Sequence, residues 1–229
     1  MGVESLSDEL IKRFLVRVSE TLPGRSAHRR FTPTLAYGRH LGPPPVEARR
    51  AAVAIVLCTD VNGDHFLPLT VRPFSLRHHG GQVCLPGGRI EPGESAVEAA
   101  VREFQEELGP GEVQLKLLGI LTPLYVYASN NVVTPVVMFS ESSLSFEPDP
   151  IEVEQVVNLP LSSLAESSTR CQTMSRAVRG SNVDSSSSNR VLNEPAIRWS
   201  APYWSIGEHR VWGATAMILS ELAAMIHDR

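Results

Sequence analysis

At 229 residues the chain lies near the upper range of a single domain, and its 42% hydrophobic content is ample for a core. A formal net charge of -4 argues against a binder of nucleic-acid backbone, whose footprint is normally basic, while small anionic ligands can still be met by local arginines and metal. Cys58, Cys84 and Cys171 are scattered without paired spacing, so neither a disulfide framework nor a zinc site is indicated, and a reducing cytoplasm fits.

The polar, acidic Met1 to Glu9 does not read as a signal peptide, and no stretch approaches the about 20 apolar residues of a membrane span. Leu6 to Thr21 carries Leu10, Ile11, Phe14, Leu15 and Val18 at helical spacing, predicting an amphipathic helix. A lead-in with Pro33, Pro43, Pro44 and Pro45 completes residues 1–49, ahead of the domain expected over 50–229. Ala51 to Cys58 reads as a buried strand, and Val61-Asn62-Gly63-Asp64 turns it back into His65 to Arg72. A helix should follow after Ser95. Further strands are predicted over Leu115 to Leu121, Val132 to Phe139 and Ile151 to Val157. Ser162 to Asn189, which contains Ser185-Ser186-Ser187-Ser188, is polar and low in complexity and reads as a mobile insertion, with a lid over a ligand as the alternative. Trp204 and Trp212 are core residues or stacking partners for a planar ring. Ala214 to Ile226 closes the chain as a helix that turns Met217, Ile218, Leu222 and Met225 toward a sheet.

The informative helix begins with Ser95, which can cap it, and Glu98 completes a capping box. Gly109 supplies a left-handed stop about four turns later. Val97, Ala100, Val101, Phe104 and Leu108 recur at three- and four-residue steps and should form one apolar stripe. Glu103 and Glu107 then share a flank, with Glu106 beside them, all in the last turns, where the helix dipole disfavours anions and like charges four apart repel. A solvated acidic face is one reading of this trio. A hard divalent cation, Mg²⁺ or Mn²⁺, is the other, because it takes oxygen ligands and resolves the repulsion. Pro86-Gly87-Gly88 and Pro92-Gly93 favour the second, since they allow tight turns and close approach of backbone to a ligand at the helix entrance.

Gly88 through Gly109, with Glu94 and Arg102-Glu103-Phe104-Gln105-Glu106-Glu107-Leu108, resembles the Nudix box, the loop-helix-loop signature of hydrolases that cleave a nucleoside diphosphate linked to another moiety. Its charged and glycine positions are all filled. Phe104 stands at a usually aliphatic site, and Pro110 where an aliphatic residue normally follows the last glycine. The resemblance implies an α/β fold, an alpha-beta-alpha sandwich with a mixed β-sheet, which suits the order of predicted elements.

Leu69-Thr70-Val71-Arg72 and Leu76-Arg77-His78-His79-Gly80-Gly81-Gln82-Val83-Cys84-Leu85-Pro86-Gly87-Gly88 resemble the additional motif of the coenzyme A diphosphatase branch, with Pro73 in place of a common serine and Leu85 in place of phenylalanine. Ser129 to Val137, Glu152 to Leu161 and Val211 to Ala216 are similar to later strands of that branch. The substrate so implied is coenzyme A or a thioester of it, with ADP-ribose, a dinucleotide or a nucleoside triphosphate as alternatives, and a non-catalytic nucleotide-binding module as a third reading that the intact glutamates oppose. A diphosphate and a 3′-phosphate are targets for bidentate guanidinium groups, which makes Arg72 and Arg77, with Gly87 and Gly88, the substrate-binding candidates.

The implied mechanism is attack of water on a phosphorus of the diphosphate bridge, assisted by metal. Glu103, Glu107 and Glu106 are the metal-ligand candidates. Glu103, Glu106 and Arg102 are expected in the catalytic machinery, Arg102 orienting a neighbouring glutamate with support from Glu94. The general base is Glu103, Glu152 or Glu154. His78 and His79 are contacts to phosphate or water, or solvated loop histidines. Cys84, beside the glycine loop, reads as buried packing rather than a nucleophile.

Overall fold

The computed structural model describes residues 6–34, 42–75, 80–111, 113–165, 170–177 and 196–226. Helix α1 (Leu6–Val18) and the short α2 (Arg25–His28) precede β1 (Arg49–Thr59), β2 (His65–Val71), β3 (Val83–Cys84) and β4 (Gly87–Arg89). Helix α3 (Ala96–Leu108) leads into β5 (Leu115–Ile120), β6 (Leu124–Val126), β7 (Asn131–Ser140) and β8 (Gln155–Pro160). Strands β9 (Arg170–Ala177), β10 (Ala196–Ile206) and β11 (His209–Trp212) precede α4 (Gly213–Ile226).

The main sheet runs β3-β2-β1-β7-β5, with β4 beside β1, β6 beside β7 and β8 beside β2. Strands β1 and β7 pair in parallel from Arg49↔Asn131 to Leu57↔Phe139, whereas the other pairs of this sheet are antiparallel. The sheet is therefore mixed, and its parallel pair requires a long crossover, which contains α3. Strand β1 divides its second edge: Ala51, Ala52 and Val53 face β4, while Cys58 and Thr59 face β2. Between them the Ala54 N–H donates to Pro86 O at 2.8 Å, so Gly87 and Gly88 start from a main-chain anchor on the central strand.

Alternation along β1 feeds two cores. Ile55 and Leu57 face one side with Leu67, Leu69, Val137, α1 Phe14 and α4 Met217, Ile218, Leu222 and Met225. Ala52, Ala54 and Val56 face the other with α3 Ala99, Ala100, Phe104 and Leu108. Small residues on β1 let α3 lie close to the sheet, and Phe104 fills the space they leave. The result is an α/β sandwich with helices on both faces of a mixed sheet, the architecture expected from the sequence.

Several local expectations are corrected. The strand expected over Ile151 to Val157 begins at Gln155, because Asp149 organises 149–153 as a turn: its carboxylate accepts the Ile151 N–H at 2.8 Å and its carbonyl accepts those of Glu152 at 3.1 Å and Val153 at 2.8 Å. Within Ser162 to Asn189, Arg170–Ala177 is not loop but β9, paired antiparallel with β10 from Arg170↔Tyr203 to Ala177↔Ala196, while Leu161–Ala165 forms a 3-10 turn. The serine run lies outside the described residues. On α3 the stripe includes Ala99 and Glu107, both buried, and leaves Val97 and Val101 half-buried. Trp204 is a core residue, stacked on Phe31 with centroids 4.4 Å apart and rings 17° from parallel. Among the described residues no helix is long and apolar enough to cross a membrane.

Candidate active site

Both ends of α3 are built as its sequence predicts. Ser95 Oγ accepts the Glu98 N–H at 3.2 Å and Glu98 Oε2 accepts the Ser95 N–H at 2.8 Å, while Gly109 takes φ 53° and donates to Gln105 O at 2.9 Å. The last carbonyls are satisfied from outside the helix: Glu147 N–H donates to Leu108 O at 2.9 Å and Asp149 N–H to Glu107 O at 3.1 Å. A side chain at Gly109 would strike the Glu147 carbonyl, so glycine is required both by conformation and by this docking.

Arg102 gathers three carboxylates. Its Nε and Nη2 donate to the two oxygens of Glu94 at 2.9 and 3.2 Å, and Nη1 donates to Glu103 at 2.8 Å and Glu106 at 3.0 Å. Nη2 also donates to Arg89 O at 3.0 Å, tying the guanidinium to β4. The fork holds Glu94 below the usual carboxylate range, chiefly through the hydrogen bond to Arg102, and the surrounding carboxylates raise the Arg102 pKa. Glu106 remains the outermost of the group, with its side chain 60% exposed.

Glu103 and Glu107 point inward. A Cβ at Gly88 would collide with the Glu103 carboxylate, so the glycine leaves the space this carboxylate occupies. Burial raises the Glu103 carboxyl above its ordinary pKa against the opposing hydrogen bond from Arg102. Glu107 is only 4% exposed, and its Oε1 accepts one long hydrogen bond, from Gly87 N–H at 3.4 Å. Burial first, and then the charges of Glu103 and Glu152, push its carboxyl up to about 7, opposed by the Gly87 N–H and Arg72. Arg72 and Glu152 thus belong electrically to the same site, Arg72 from the end of β2 and Glu152 from the turn that hangs on the end of α3.

Of the residues predicted from sequence, Arg102, Glu103, Glu106, Glu107, Arg72, Gly87 and Gly88 fall around one place. Arg77, His78 and His79 lie outside the described residues. Cys84 is half-buried rather than fully buried, and burial pushes its thiol up to about 11, which keeps it protonated and unsuited to nucleophilic attack at neutral pH. Thr215, at the start of α4, hydrogen-bonds that thiol and brings α4 to the site, a link no local pattern announces.

The donor chemistry fits a hard cation: oxygen-only groups, two of them inward and short of hydrogen-bond donors, with charges that raise one another's pKa. Among the described residues no three acidic, histidine or cysteine side chains converge into a ready-made ion cage. Mg²⁺ does not need one, since it keeps several waters and commonly uses one or two carboxylates plus phosphate oxygens.

Comparison with known proteins agrees with this chemistry. The NUDIX domain family matches residues 48–174, more than half of the chain. An uncharacterized Nudix hydrolase, NudL, of Photorhabdus laumondii is 34% identical over 193 residues, covering 81% of this chain and 91% of that protein. The mitochondrial coenzyme A diphosphatase NUDT8 of Homo sapiens is 34% identical over 73% of this chain and 65% of its own length. The peroxisomal coenzyme A diphosphatase NUDT7 of Mus musculus is 38% identical over 43% of this chain and 42% of its own length.

Proposed function

The chain belongs to the Nudix hydrolase family, and on that premise we propose that it hydrolyses the diphosphate bridge of coenzyme A or an acyl-coenzyme A, releasing phosphopantetheine or its acylated form and adenosine 3′,5′-bisphosphate. One juxtaposition carries the reading. Arg72 stands on the segment that resembles the coenzyme A diphosphatase motif, and its charge acts on Glu107 of the Nudix helix, so a diphosphate held by that arginine would lie against the carboxylates. The likeness to two proteins named coenzyme A diphosphatases supports the same substrate.

Glu103 and Glu107, with Glu106 at the rim, are the residues that would hold Mg²⁺ or Mn²⁺. Such an ion neutralises phosphoryl oxygens and makes a coordinated water a better nucleophile. Arg102 positions Glu103 and Glu106 through one guanidinium, and Glu94 in turn fixes Arg102. Gly88 leaves the space that the Glu103 carboxylate fills and Gly87 sits against Ala52 and Val53 of β1, so Arg72 is the group that binds the substrate phosphates. The water proton goes to Glu152, whose charge acts on both inward glutamates, whereas Glu103 is engaged by Arg102.

Incubation with coenzyme A and Mg²⁺ or Mn²⁺, beside Glu107→Gln, followed by chromatography with mass detection, tests the proposal. Adenosine 3′,5′-bisphosphate should appear with wild type and fall steeply in the variant. Survival of coenzyme A while ADP-ribose or another diphosphate is cleaved would retain the Nudix chemistry and reject the substrate.

A further inference from the structure

Phe74 is 78% exposed, large and apolar, yet it does not project from a loose loop. Its ring lies over Gly81, where a Cβ would strike it, and Gly81 also has φ 71°. That glycine is tied back to the strand end, donating to Arg72 O at 2.8 Å, while Arg72 N–H donates to Gln82 O at 3.0 Å. One face of the ring is therefore seated on backbone and the other is open to solvent.

The location matters as much as the exposure. Two residues of chain reach at most about 7 Å, so Phe74 begins within that span of Arg72, whose charge acts on Glu107. The β2–β8 ladder ends at Val71↔Gln155, and Glu154 N–H donates to Val71 O at 2.8 Å. Beyond that bond the chain after Val71 stays with the opposite edge of β2, where Arg72 pairs with Gln82 and Gly81 and the Phe74 ring is seated. Ile151 is 77% exposed, and its neighbour Glu152 acts on Glu103 and Glu107. Phe74 and Ile151 thus follow opposite edges of the β2 end, Phe74 with Gly81 on the β3 side next to Arg72.

We propose that Phe74 is the nucleobase platform of this enzyme: its open face stacks the purine of a nucleoside diphosphate substrate whose phosphates lie at Arg72 and the α3 glutamates. This rests on the diphosphatase reading above and names the part of the substrate that the site grips without charge. The base is separated from its phosphates by a single sugar, which suits a ring two residues from the phosphate-facing arginine. Stacking asks only for a flat, desolvatable face, and a ring fixed on glycine supplies it with little loss of side-chain freedom.

The test measures calorimetric affinities for AMP, ribose 5-phosphate and phosphopantetheine, with Mg²⁺ present, in wild type, Phe74→Ala, Phe74→Leu and Phe74→Trp. Wild type should prefer AMP to ribose 5-phosphate. The alanine and leucine variants should lose about tenfold in AMP affinity with ribose 5-phosphate unchanged, and tryptophan should preserve the preference. Equal wild-type affinity for AMP and ribose 5-phosphate, an undiminished preference in the leucine variant, or a loss confined to phosphopantetheine would each overturn the proposal. Failure of the coenzyme A reading is seen separately, as intact coenzyme A with wild-type enzyme, because the base-dependent ratio does not require that substrate to be cleaved.

Discussion

The main-chain N–H of Asp149 donates to the carbonyl of Glu107 at 3.1 Å, so the turn that carries Glu152 is suspended from the same helical residue that supplies the most buried carboxylate of the site. Carboxylates from distant parts of the chain are thereby set against one another by backbone. Glu152→Gln should lower kcat by about 10²- to 10⁴-fold, the usual worth of a positioned base, with Mg²⁺ affinity changed little. Glu107→Gln should weaken both. Kinetics across a Mg²⁺ titration separate the two, and a Glu152→Gln variant with wild-type kcat removes Glu152 from the chemistry.

Gly88→Ala tests the close approach of β4 to α3. The added methyl would occupy the position of the Glu103 carboxylate, forcing that side chain off Arg102 and out of its inward orientation. A displacement of about 1 Å can cost about 10²-fold in rate, so kcat should fall by at least that order while far-ultraviolet circular dichroism stays native. Gly93→Ala is the comparison: a Cβ there meets nothing within 4 Å, although its φ of 89° strains any side chain, so it should reduce stability more than it reduces kcat.

The raised Glu107 pKa has a definite sign in stability. In the metal-free protein its carboxyl titrates at about 7, against an ordinary value of 4.5, so between these pH values the folded state holds a proton that the unfolded state has released. Stability from this group is full below about 4.5, declines as pH rises toward 7 and is level beyond, a loss of up to about 3 kcal/mol. Urea unfolding in chelator from pH 5 to pH 8 should show this decline in wild type and lose it in Glu107→Gln. Mg²⁺ should stabilise wild type more at pH 8 than at pH 5, and equal stabilisation at both values would rule out a titrating ligand.

What the sequence disclosed follows the range of the forces involved. Helix α3 was legible to the residue because its signals, Ser95, Glu98 and Gly109, act within one turn of its ends. The burial of Glu107 was not, because it is closed in by Gly87 and anchored through Asp149, each distant along the chain. Ile151 and Val153 alternate with polar residues as a strand would, but Asp149 supplies the local hydrogen bonds that hold a turn. Strand β9 was hidden by its composition: Arg170-Cys171-Gln172-Thr173-Met174-Ser175-Arg176-Ala177 has no apolar run, and only its register with β10 reveals it. Of the two readings open for Trp204, the structure selects packing, since the ring is spent on Phe31 and its Nε1 donates to Ala216 O at 3.4 Å.

A buried hydrogen-bonded cluster away from these glutamates gives a last prediction of a different kind. Glu221 on α4 is fully buried, and its Oε1 accepts the Gly24 N–H at 3.0 Å and the Thr122 hydroxyl at 2.7 Å, while Oε2 meets His28 Nε2 at 3.0 Å. One carboxylate thus satisfies α2, the chain after β5 and the turn before α2 at once. Glutamine keeps the size but replaces one acceptor oxygen with an amide donor, where the Gly24 N–H, the Thr122 N–H and the Thr122 hydroxyl all donate to this carboxylate. Glu221→Gln should therefore cost about 1–3 kcal/mol, the penalty for leaving a buried donor without its acceptor, and lower Tm. Because none of its hydrogen bonds reaches Arg72, Arg102 or the α3 glutamates, kcat and KM measured per folded molecule should stay within about twofold, inside the usual additivity of distant sites. A fall in kcat at unchanged Tm would instead make this cluster part of the catalytic framework, acting through α4 and the Thr215 contact to Cys84.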